Sequence, residues 1–188
     1  MFKTILMTAL ILGATSARAE ENYKTYQKHE EVLAVTAWPV CHGMIKNMKN
    51  CVIDGDTIDV LMPGFQVVRV RLAGIDAPER GQAFGSASKA ALSELVFARQ
   101  VVVQWKKRDR YERLVGKVTV SGADANLAML TRGLAWHYAR FEAEQERADR
   151  AAYAQAEREA RAQRRGLWAD ARPVAPWDHR KARGEARE

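Results

Sequence analysis

Long apolar segments are scarce in this sequence. The clearest run covers residues 5–12, follows Lys3 and precedes an Ala-Arg-Ala segment at residues 17–19. This run is shorter than the roughly 20 apolar residues that a membrane-spanning helix needs, so a permanent anchor is the weaker interpretation. A basic start, a short apolar run and a small-x-small site are typical of a secretory signal peptide. We therefore predict cleavage after residue 19 and an exported protein, periplasmic or extracellular, without a membrane anchor.

The sequence is also poor in cysteine and histidine, with two cysteines, Cys41 and Cys51, and four histidines. A zinc site at the cysteines would lack a second pair of ligands, because only His42 lies nearby in sequence. Export would place the two cysteines in an oxidising compartment, where such pairs usually form a bridge. We therefore predict a Cys41–Cys51 disulfide, which would stabilise the fold by about 2–3 kcal/mol, mainly by restricting the unfolded chain.

Acidic residues are fewer than basic ones: 23 Asp and Glu stand against 30 Lys and Arg, which gives a formal net charge of +7. A basic chain suits a polyanionic partner, because each Lys or Arg that pairs with a phosphate releases counterions. Many exported proteins are nevertheless basic without binding nucleic acid. Charge alone therefore supports such a partner only weakly.

The chain length of 188 residues and the hydrophobic content of 47% indicate one folded domain with tails, and we expect a monomer. We find no internal repeat. Tryptophans in the C-terminal segment are expected to fasten it to the body, whereas residues 180–188 are expected to be disordered. The predicted organisation is a signal peptide over residues 1–19, an N-terminal arm over 20–35, a domain over 36–170 and a C-terminal tail over 171–188.

Short alternating apolar runs predict five β-strands, and helical spacing predicts an α-helix over residues 84–98, between the third and fourth strands. After the fifth strand we expect a short helix capped by Asp124 and a long helix over about 141–165. This order is typical of a small OB-type β-barrel in the α+β class, with about three helices. The predicted strands cover residues 51–53, 57–62, 66–72, 101–105 and 114–120.

Three charged segments stand out at the ends of predicted strands. The first is Asp-Gly-Asp-Thr at residues 54–57, which in isolation is often a simple turn. The second, residues 71–80, places an arginine and two carboxylates around a proline turn, which would let Asp76 and Glu79 point into one cavity. The third, Asp-Arg-Tyr-Glu-Arg at residues 109–113, is by itself most often a solvated turn.

Together, these segments resemble the staphylococcal nuclease domain. The matching motifs are Asp-Gly-Asp-Thr, Arg-Leu-x-Gly-Ile-Asp-x-Pro-Glu and Asp-x-Tyr-x-Arg, in this order and at these separations. The resemblance runs from about Cys51 to Trp168 and includes Asn126 and the Gly-Leu-Ala segment at residues 133–135. Three separated motifs are much more specific than any one of them.

The resemblance implies a calcium-dependent endonuclease that hydrolyses phosphodiester bonds of DNA, RNA or both. Asp56 and Asp76 would bind Ca²⁺, together with the backbone carbonyl of Ala77. The catalytic residues would be Arg71, Glu79 and Arg113. The residues that contact substrate would be Arg110, Tyr111 and an aromatic side chain, Tyr138 or Phe141.

These roles also agree with the chemistry of phosphodiester hydrolysis. Calcium prefers hard oxygen ligands and accepts irregular geometry, so two carboxylates and a carbonyl leave room for a phosphate oxygen. Glu79 would orient or deprotonate the attacking water. Two arginines would hold the extra negative charge of the transition state through their planar forks, which lysine would not reproduce. The same arginines have a simpler interpretation as partners that neutralise the carboxylates.

Two positions depart from the family pattern. Ala77 stands where the best-known member has threonine, but only the backbone carbonyl is required there. Glu112 stands where glycine is common; if this position needs a positive φ, the glutamate would cost about 1–2 kcal/mol and would place a negative charge beside Arg113. The alternative function is a catalytically weak or silent OB-fold protein that binds nucleic acid, although Asp56, Asp76 and Glu79 are all present.

Overall fold

The computed structural model describes residues 33–39 and 51–185. Its strands are β1 Leu33–Pro39, β2 Val52–Asp54, β3 Thr57–Met62, β4 Gln66–Leu72, β5 Ile75–Asp76, β6 Val101–Arg108, β7 Leu114–Val120, β8 Ala123–Asp124 and β9 Trp136–His137. Its helices are α1 Gly85–Val96, α2 Ala125–Thr131, α3 Arg147–Ala162 and α4 Pro176–Glu185, with short 3-10 segments at Ala139–Glu144 and Gly166–Ala169.

Five strands close into a barrel. β1 pairs with β6, β6 with β7, β7 with β4 and β4 with β3, and the pairing of β3 with β1 completes the ring. All of these pairings are antiparallel except that of β4 with β7, which is parallel. This closed barrel, with α1 between β4 and β6 along the chain and further helices after β7, confirms the predicted α+β fold of OB type.

The barrel differs from the prediction in its first strand. The predicted strand at residues 51–53 became β2, which lies beside β3 and outside the closed ring. The ring is closed instead by β1, which was not predicted. In β1 the buried Val35 and Ala37 alternate with exposed Ala34 and Thr36, so the period is correct, but the side chains are small and give a weak signal.

The core lies inside the barrel and beneath α1. Alternate residues of β7 are buried, and Leu92 and Val96 of α1 are fully buried against the strands. The buried Asn126 of α2 donates from Nδ2 to the backbone carbonyl of Ala73 at 2.9 Å, and its Oδ1 accepts from the backbone N–H of Val118 at 3.1 Å. Asn126 thereby fixes the chain immediately after β4, where the charged motif begins.

The predicted long helix over residues 141–165 is interrupted. A 3-10 segment ends at Glu144, and α3 begins only at Arg147, because Glu146 has an extended backbone with ψ 143°. The side chain of Glu146 accepts a hydrogen bond from Lys106 of β6 at 2.6 Å, so a tertiary contact ties this residue to the barrel. Asp124 caps α2 as predicted, accepting from the backbone N–H of Leu127 at 3.0 Å.

The expected disorder of residues 180–188 is wrong for residues up to 185, which lie in α4. The helix begins at Pro176, a residue suited to the first helical position because its missing N–H would have no partner there. Tryptophans attach this segment to the body as predicted: the Trp136 ring lies 4.4 Å from that of Trp168 and 5.5 Å from that of Trp177. Within the described ranges no helix is long and apolar enough to cross a membrane.

Several predictions concern residues outside the described part of the chain. The signal peptide over residues 1–19 lies there, as does Cys41 with its neighbour His42. Cys51 is buried in the core. The signal peptide and the Cys41–Cys51 disulfide therefore remain predictions.

Candidate active site

The centre of the site is a guanidinium that bridges two buried carboxylates. Arg71, near the end of β4, donates from Nη2 to Oδ1 of Asp76 at 2.9 Å, and its Nη1 lies 3.2 Å from Oδ2 of Asp56. Nη1 also donates to the backbone carbonyls of Leu72 at 2.9 Å and Ile75 at 2.8 Å. The side chains of Arg71, Asp56 and Asp76 are 13%, 7% and 1% exposed. The fold thus fixes a compact charged cluster at the end of the barrel.

The turn before β3 positions Asp56. Its Oδ1 accepts from the hydroxyl of Thr57 at 2.9 Å, and its Oδ2 accepts from the backbone N–H of Ala77 at 2.7 Å. Gly55 is required here because a Cβ at this residue would lie 1.8 Å from Oγ of Ser88 and 2.8 Å from Cβ of Ala77. The absence of a side chain therefore lets the Asp56 turn approach both α1 and the Asp76 segment.

A short two-stranded sheet positions the second carboxylate. β5 pairs with β9, so that Asp76 lies opposite Trp136 and Ile75 lies opposite His137. Immediately after β9, the backbone N–H of Tyr138 donates to the carbonyl of Gly74 at 2.8 Å. The predicted aromatic substrate contact is therefore held beside the segment that carries Asp76.

Glu79 follows on the proline turn. Its backbone N–H donates to Oε1 of Gln82 at 3.0 Å, and its backbone carbonyl accepts from the N–H of Gln82 at 2.9 Å. Its carboxylate accepts from Nη1 of Arg180 at 2.6 Å, and the same Arg180 donates from Nη2 to Oδ2 of Asp76 at 2.7 Å. One guanidinium from α4 therefore joins the two carboxylates that the sequence predicted to share a cavity.

Burial and mutual repulsion make the carboxyl groups in this region costly to ionise, and the neighbouring guanidinium groups offset part of that cost. Burial raises the pKa of Asp76, while its contacts with Arg180 and Arg71 act in the opposite direction. Burial, followed by repulsion from Asp56, raises the pKa of Asp54 to about 7. Asp54 also lines a pocket of about 230 Å³ that Arg80 and Lys89 line too.

The donor set at this point suits a hard cation with few protein ligands. Asp56 and Asp76 each present carboxylate oxygens, and both contact the Arg71 guanidinium, so one cationic group already bridges them. No group of three or more His, Cys, Asp or Glu side chains is gathered as a metal cluster within residues 33–39 and 51–185. A cation bound here would complete its shell with backbone oxygen, water or phosphate, as calcium does in open sites. The amide of Ala77 donates to Asp56, and a role for its carbonyl remains a prediction.

The third motif forms a separate cluster in the loop between β6 and β7. Arg113 donates from Nε to Oδ2 of Asp109 at 2.7 Å, and its Nη2 lies 2.6 Å from the same oxygen. The ring of Tyr111, which is 63% exposed, lies 4.8 Å from the Arg110 guanidinium and 5.4 Å from that of Arg113. The pKa of Asp109 lies below its usual value. Burial raises this pKa, but hydrogen bonds from Arg113 and Tyr111 lower it by more.

The sheet brings the start of β7, which follows this loop, beside the end of β4, which carries Arg71. β4 and β7 run parallel, with Val70 opposite Leu114 and Arg71 opposite Val115. Arg113 therefore precedes the strand that lies directly beside Arg71. In the described structure Arg113 pairs with Asp109 and not with the carboxylates around Arg71.

Two residues at the site were missed by sequence reasoning. Arg180 contacts Asp76 and Glu79, and the Trp177 ring stacks on that of Tyr138 with centroids 5.5 Å apart and an interplanar angle of 17°. Both belong to α4, a segment expected to be a tail. The proline at its start was the available signal for a helix, but nothing in the local sequence indicates which surface α4 covers.

Comparison with known proteins identifies the family. Residues 69–170 match the family model described as staphylococcal nuclease homologue. The chain belongs to the staphylococcal nuclease family. Its matched range includes Arg71, Asp76, Glu79 and Arg113, while Asp56 precedes it.

Full-length relatives extend the match beyond that range. A protein named micrococcal nuclease from Shigella flexneri is 40% identical over 160 residues, which cover 80% of this chain and 87% of the relative. An uncharacterized endonuclease from Escherichia coli O157:H7 is 40% identical over 153 residues, covering 80% of this chain and 95% of the relative. Protein ParB of Escherichia coli is 42% identical over 166 residues, covering 84% and 89%.

Proposed function

We propose that this protein is a calcium-dependent endonuclease that hydrolyses phosphodiester bonds of DNA, RNA or both. Membership of the staphylococcal nuclease family and relatives named as nucleases support a hydrolase of this kind. The observation that carries the proposal is the buried Asp56–Arg71–Asp76 cluster with Glu79 beside it. Such a cluster combines an oxygen-rich cation site, a carboxylate base and a phosphate-binding guanidinium.

Asp56 and Asp76 are the proposed metal ligands, with the carbonyl of Ala77. Bound calcium would neutralise a phosphoryl oxygen and favour ionisation of a bound water. Asp56 is already oriented by Thr57 and the amide of Ala77, so its geometry does not depend on the cation. The protein therefore orients this one ligand in advance, which reduces the reorganisation that binding requires at Asp56.

Glu79 is the proposed general base. Its side chain is 30% exposed, so water can reach it, and its backbone is fixed by the reciprocal hydrogen bonds with Gln82. A carboxylate in this position accepts a proton from water as the oxygen attacks phosphorus. Arg71 and Arg113 would then donate to the phosphoryl oxygens, whose negative charge increases in the transition state.

Basic and aromatic groups of the third motif, together with Tyr138, are proposed to bind the nucleic acid. Arg110 and Tyr111 lie on the loop that also carries Arg113, where the side chains can reach a phosphate. Tyr138 is proposed to stack on a base, a contact that every nucleobase can make. A set of this kind recognises the backbone and ring faces and so supports binding without strong sequence preference.

We also propose that the protein acts outside the cytoplasm, as a monomer. The signal-peptide pattern in residues 1–19 supports export, because a basic residue, a short apolar run and a small-x-small site follow one another there. Mass spectrometry of the protein recovered from the periplasm or the medium tests both the location and the cleavage after residue 19. An intact N terminus in the cytoplasmic fraction would contradict export.

The direct test of activity is cleavage of single-stranded DNA, double-stranded DNA and RNA by the purified protein with calcium, with magnesium and with chelator. We expect cleavage with calcium and loss of cleavage with chelator. Glu79→Gln, prepared identically, is the control for contaminating nucleases and should lose nearly all activity. Salt-sensitive DNA binding without cleavage under any condition would instead indicate a silent nucleic-acid-binding protein.

A further inference from the structure

The C-terminal helix α4 covers two proposed functional groups at the same time. Arg180 contacts the carboxylates of Asp76 and Glu79, and Trp177 stacks on Tyr138. The Arg180–Asp76 contact joins residues 104 positions apart in the chain, so it belongs to the tertiary structure and not to a local turn. The helix therefore places the Arg180 guanidinium on Asp76, the proposed metal ligand, and the Trp177 ring on Tyr138, the proposed contact for a nucleobase.

Arg180 occupies the oxygens that a metal ion would need. Its Nη2 donates to Oδ2 of Asp76 at 2.7 Å and its Nη1 donates to Oδ1 at 3.2 Å, while Arg71 donates to the same Oδ1 at 2.9 Å. The Asp76 side chain is only 1% exposed. Both of its oxygens thus face guanidinium groups and not solvent. A divalent cation can reach Oδ2 only if Arg180 moves away.

The same movement would release Glu79, the proposed general base. Glu79 accepts from Nη1 of Arg180 at 2.6 Å, a charge-assisted hydrogen bond that takes up one carboxylate oxygen. A carboxylate engaged in this way is a poorer acceptor for a proton from water. Withdrawal of one side chain would therefore expose a metal ligand and the proposed base together.

Trp177 covers Tyr138 in the same way that Arg180 covers the carboxylates. Its ring lies almost parallel to that of Tyr138, at an angle of 17° and a centroid separation of 5.5 Å. A nucleobase that stacks on an aromatic side chain needs the same kind of face-to-face contact. Trp177 therefore covers a face of Tyr138 that could otherwise receive a base.

The attachment of α4 is compatible with displacement. The side chain of Arg180 is 43% exposed, and the described residues of α4 that follow it are exposed. Before α4, Nε2 of Gln82 donates to the carbonyl of Val174 at 2.7 Å, and Ala175 is buried. Pro176 is also buried and the Trp177 ring packs on Trp136, so displacement of α4 has to break this aromatic contact while the segment before Pro176 stays attached.

From these contacts we infer that α4 is a tethered inhibitor. Arg180 occupies the position of the cation and Trp177 that of a nucleobase, until a divalent cation and a nucleic acid displace them. The inference rests on the proposed function, because it assigns Asp76 to cation binding and Tyr138 to base stacking. Displacement exchanges a guanidinium with one positive charge for a cation with two, so the buried carboxylates are never left uncompensated. The inhibitor would limit cleavage when the cation or the substrate is scarce.

Calcium affinity provides a test that does not depend on catalysis. We compare the wild-type chain, Arg180→Gln and Arg183→Gln by isothermal titration calorimetry with calcium alone. Arg183 lies on the same exposed helix, so its variant controls for the loss of one positive charge. We expect Arg180→Gln to bind calcium about tenfold more tightly, equivalent to about 1.4 kcal/mol, and Arg183→Gln to remain within about twofold of wild type. Equal or weaker binding by Arg180→Gln would overturn the inference.

Hydrogen exchange tests the displacement itself. Amides of residues 177–185 should exchange several-fold faster when calcium and a phosphorothioate oligonucleotide are added to the wild type, whereas amides of α3 should not. Greater protection of α4 in that complex would mean that Arg180 and Trp177 belong to the substrate site, and it would overturn autoinhibition. Calcium-dependent cleavage with unaltered affinity in Arg180→Gln would refute the inhibitor alone. If the wild type neither binds calcium nor cleaves nucleic acid, the proposed function is refuted together with the inhibitor.

Discussion

The two arginines proposed to bind phosphate are held in different ways. Arg71 is 13% exposed and contacts Asp56, Asp76 and two backbone carbonyls at the end of the barrel. Arg113 is 26% exposed, lies in a loop and pairs with Asp109, which is 20% exposed. Arg71 is therefore a structural part of a buried network, while Arg113 depends on a partly exposed ion pair.

The two guanidinium groups are therefore positioned for phosphate binding in different ways. Arg71 cannot be removed without leaving buried carboxylates uncompensated, so its effects on folding and catalysis are linked. Arg113 has to exchange Asp109 for a phosphate, and both partners remain partly solvated, so the exchange requires little desolvation. We therefore expect removal of the two arginines to affect stability very differently.

The largest effect is expected for Arg71→Ala. Cleavage efficiency should fall about ten-thousandfold, within the range reported for removal of a transition-state arginine. In chelator the free energy of unfolding should also fall by about 3 kcal/mol, because Asp56 loses a charged partner and Asp76 retains only Arg180. Denaturant unfolding with and without calcium measures the second effect, and calcium should restore part of the loss. Unchanged stability in chelator would contradict a structural role for Arg71.

Removing Arg113 provides the contrast. Arg113→Ala should reduce kcat about a hundredfold to a thousandfold, whereas its free energy of unfolding should change by less than about 1 kcal/mol. The kinetic loss arises because one donor to the phosphoryl group is missing, and the small change in stability follows from an ion pair that is partly solvated. Cleavage kinetics and urea unfolding of Arg71→Ala and Arg113→Ala, measured in parallel, make the comparison. A loss of stability as large as that of Arg71→Ala would remove the distinction between the two arginines.

A smaller effect is expected when the partner of Arg113 is changed. Asp109→Asn keeps an oxygen that can accept from the backbone N–H groups of Tyr111 and Arg113 but removes the negative charge. Arg113 should then bind a phosphate with less competition, and KM should fall about two- to fivefold with little change in kcat. Steady-state cleavage of one oligonucleotide at constant ionic strength measures this. An increase in KM would show that Asp109 orients Arg113 and does not compete for it.

Local patterns predicted the barrel strands that carry clear alternation, such as β4 and β7, and the cap at Asp124. The family resemblance, through the glycine that is common at residue 112, raised the question of a positive φ there, and the φ of Glu112 is 60°. These features depend on residues close in sequence. The motif spacing led to the family, which the comparisons confirm.

The features that were missed depend on contacts between distant residues. The residues that alternate in β1 have small side chains, and the place of the strand in the barrel is fixed by pairing with β6 and β3. Glu146 breaks the predicted long helix where it contacts Lys106, 40 positions away. The charge-rich sequence of α4 predicts a tail, and only its contact with the carboxylates gives Arg180 a role. The composition of a segment indicates its local tendencies, but contacts with distant residues determine its structure and role.

The smallest effect tests the loop backbone through Glu112→Gly. Glutamate at a φ of 60° is strained, and glycine removes that strain at the expense of a more flexible unfolded chain, so we expect a net stabilisation of about 0.5–1 kcal/mol. The matched control is Glu112→Ala, which removes the charge but retains the strain. If only the glycine variant raises the melting temperature, while both lower KM slightly, backbone strain and charge repulsion beside Arg113 act separately. Equal stabilisation by both variants would assign the effect to charge and leave the positive φ without a measurable cost.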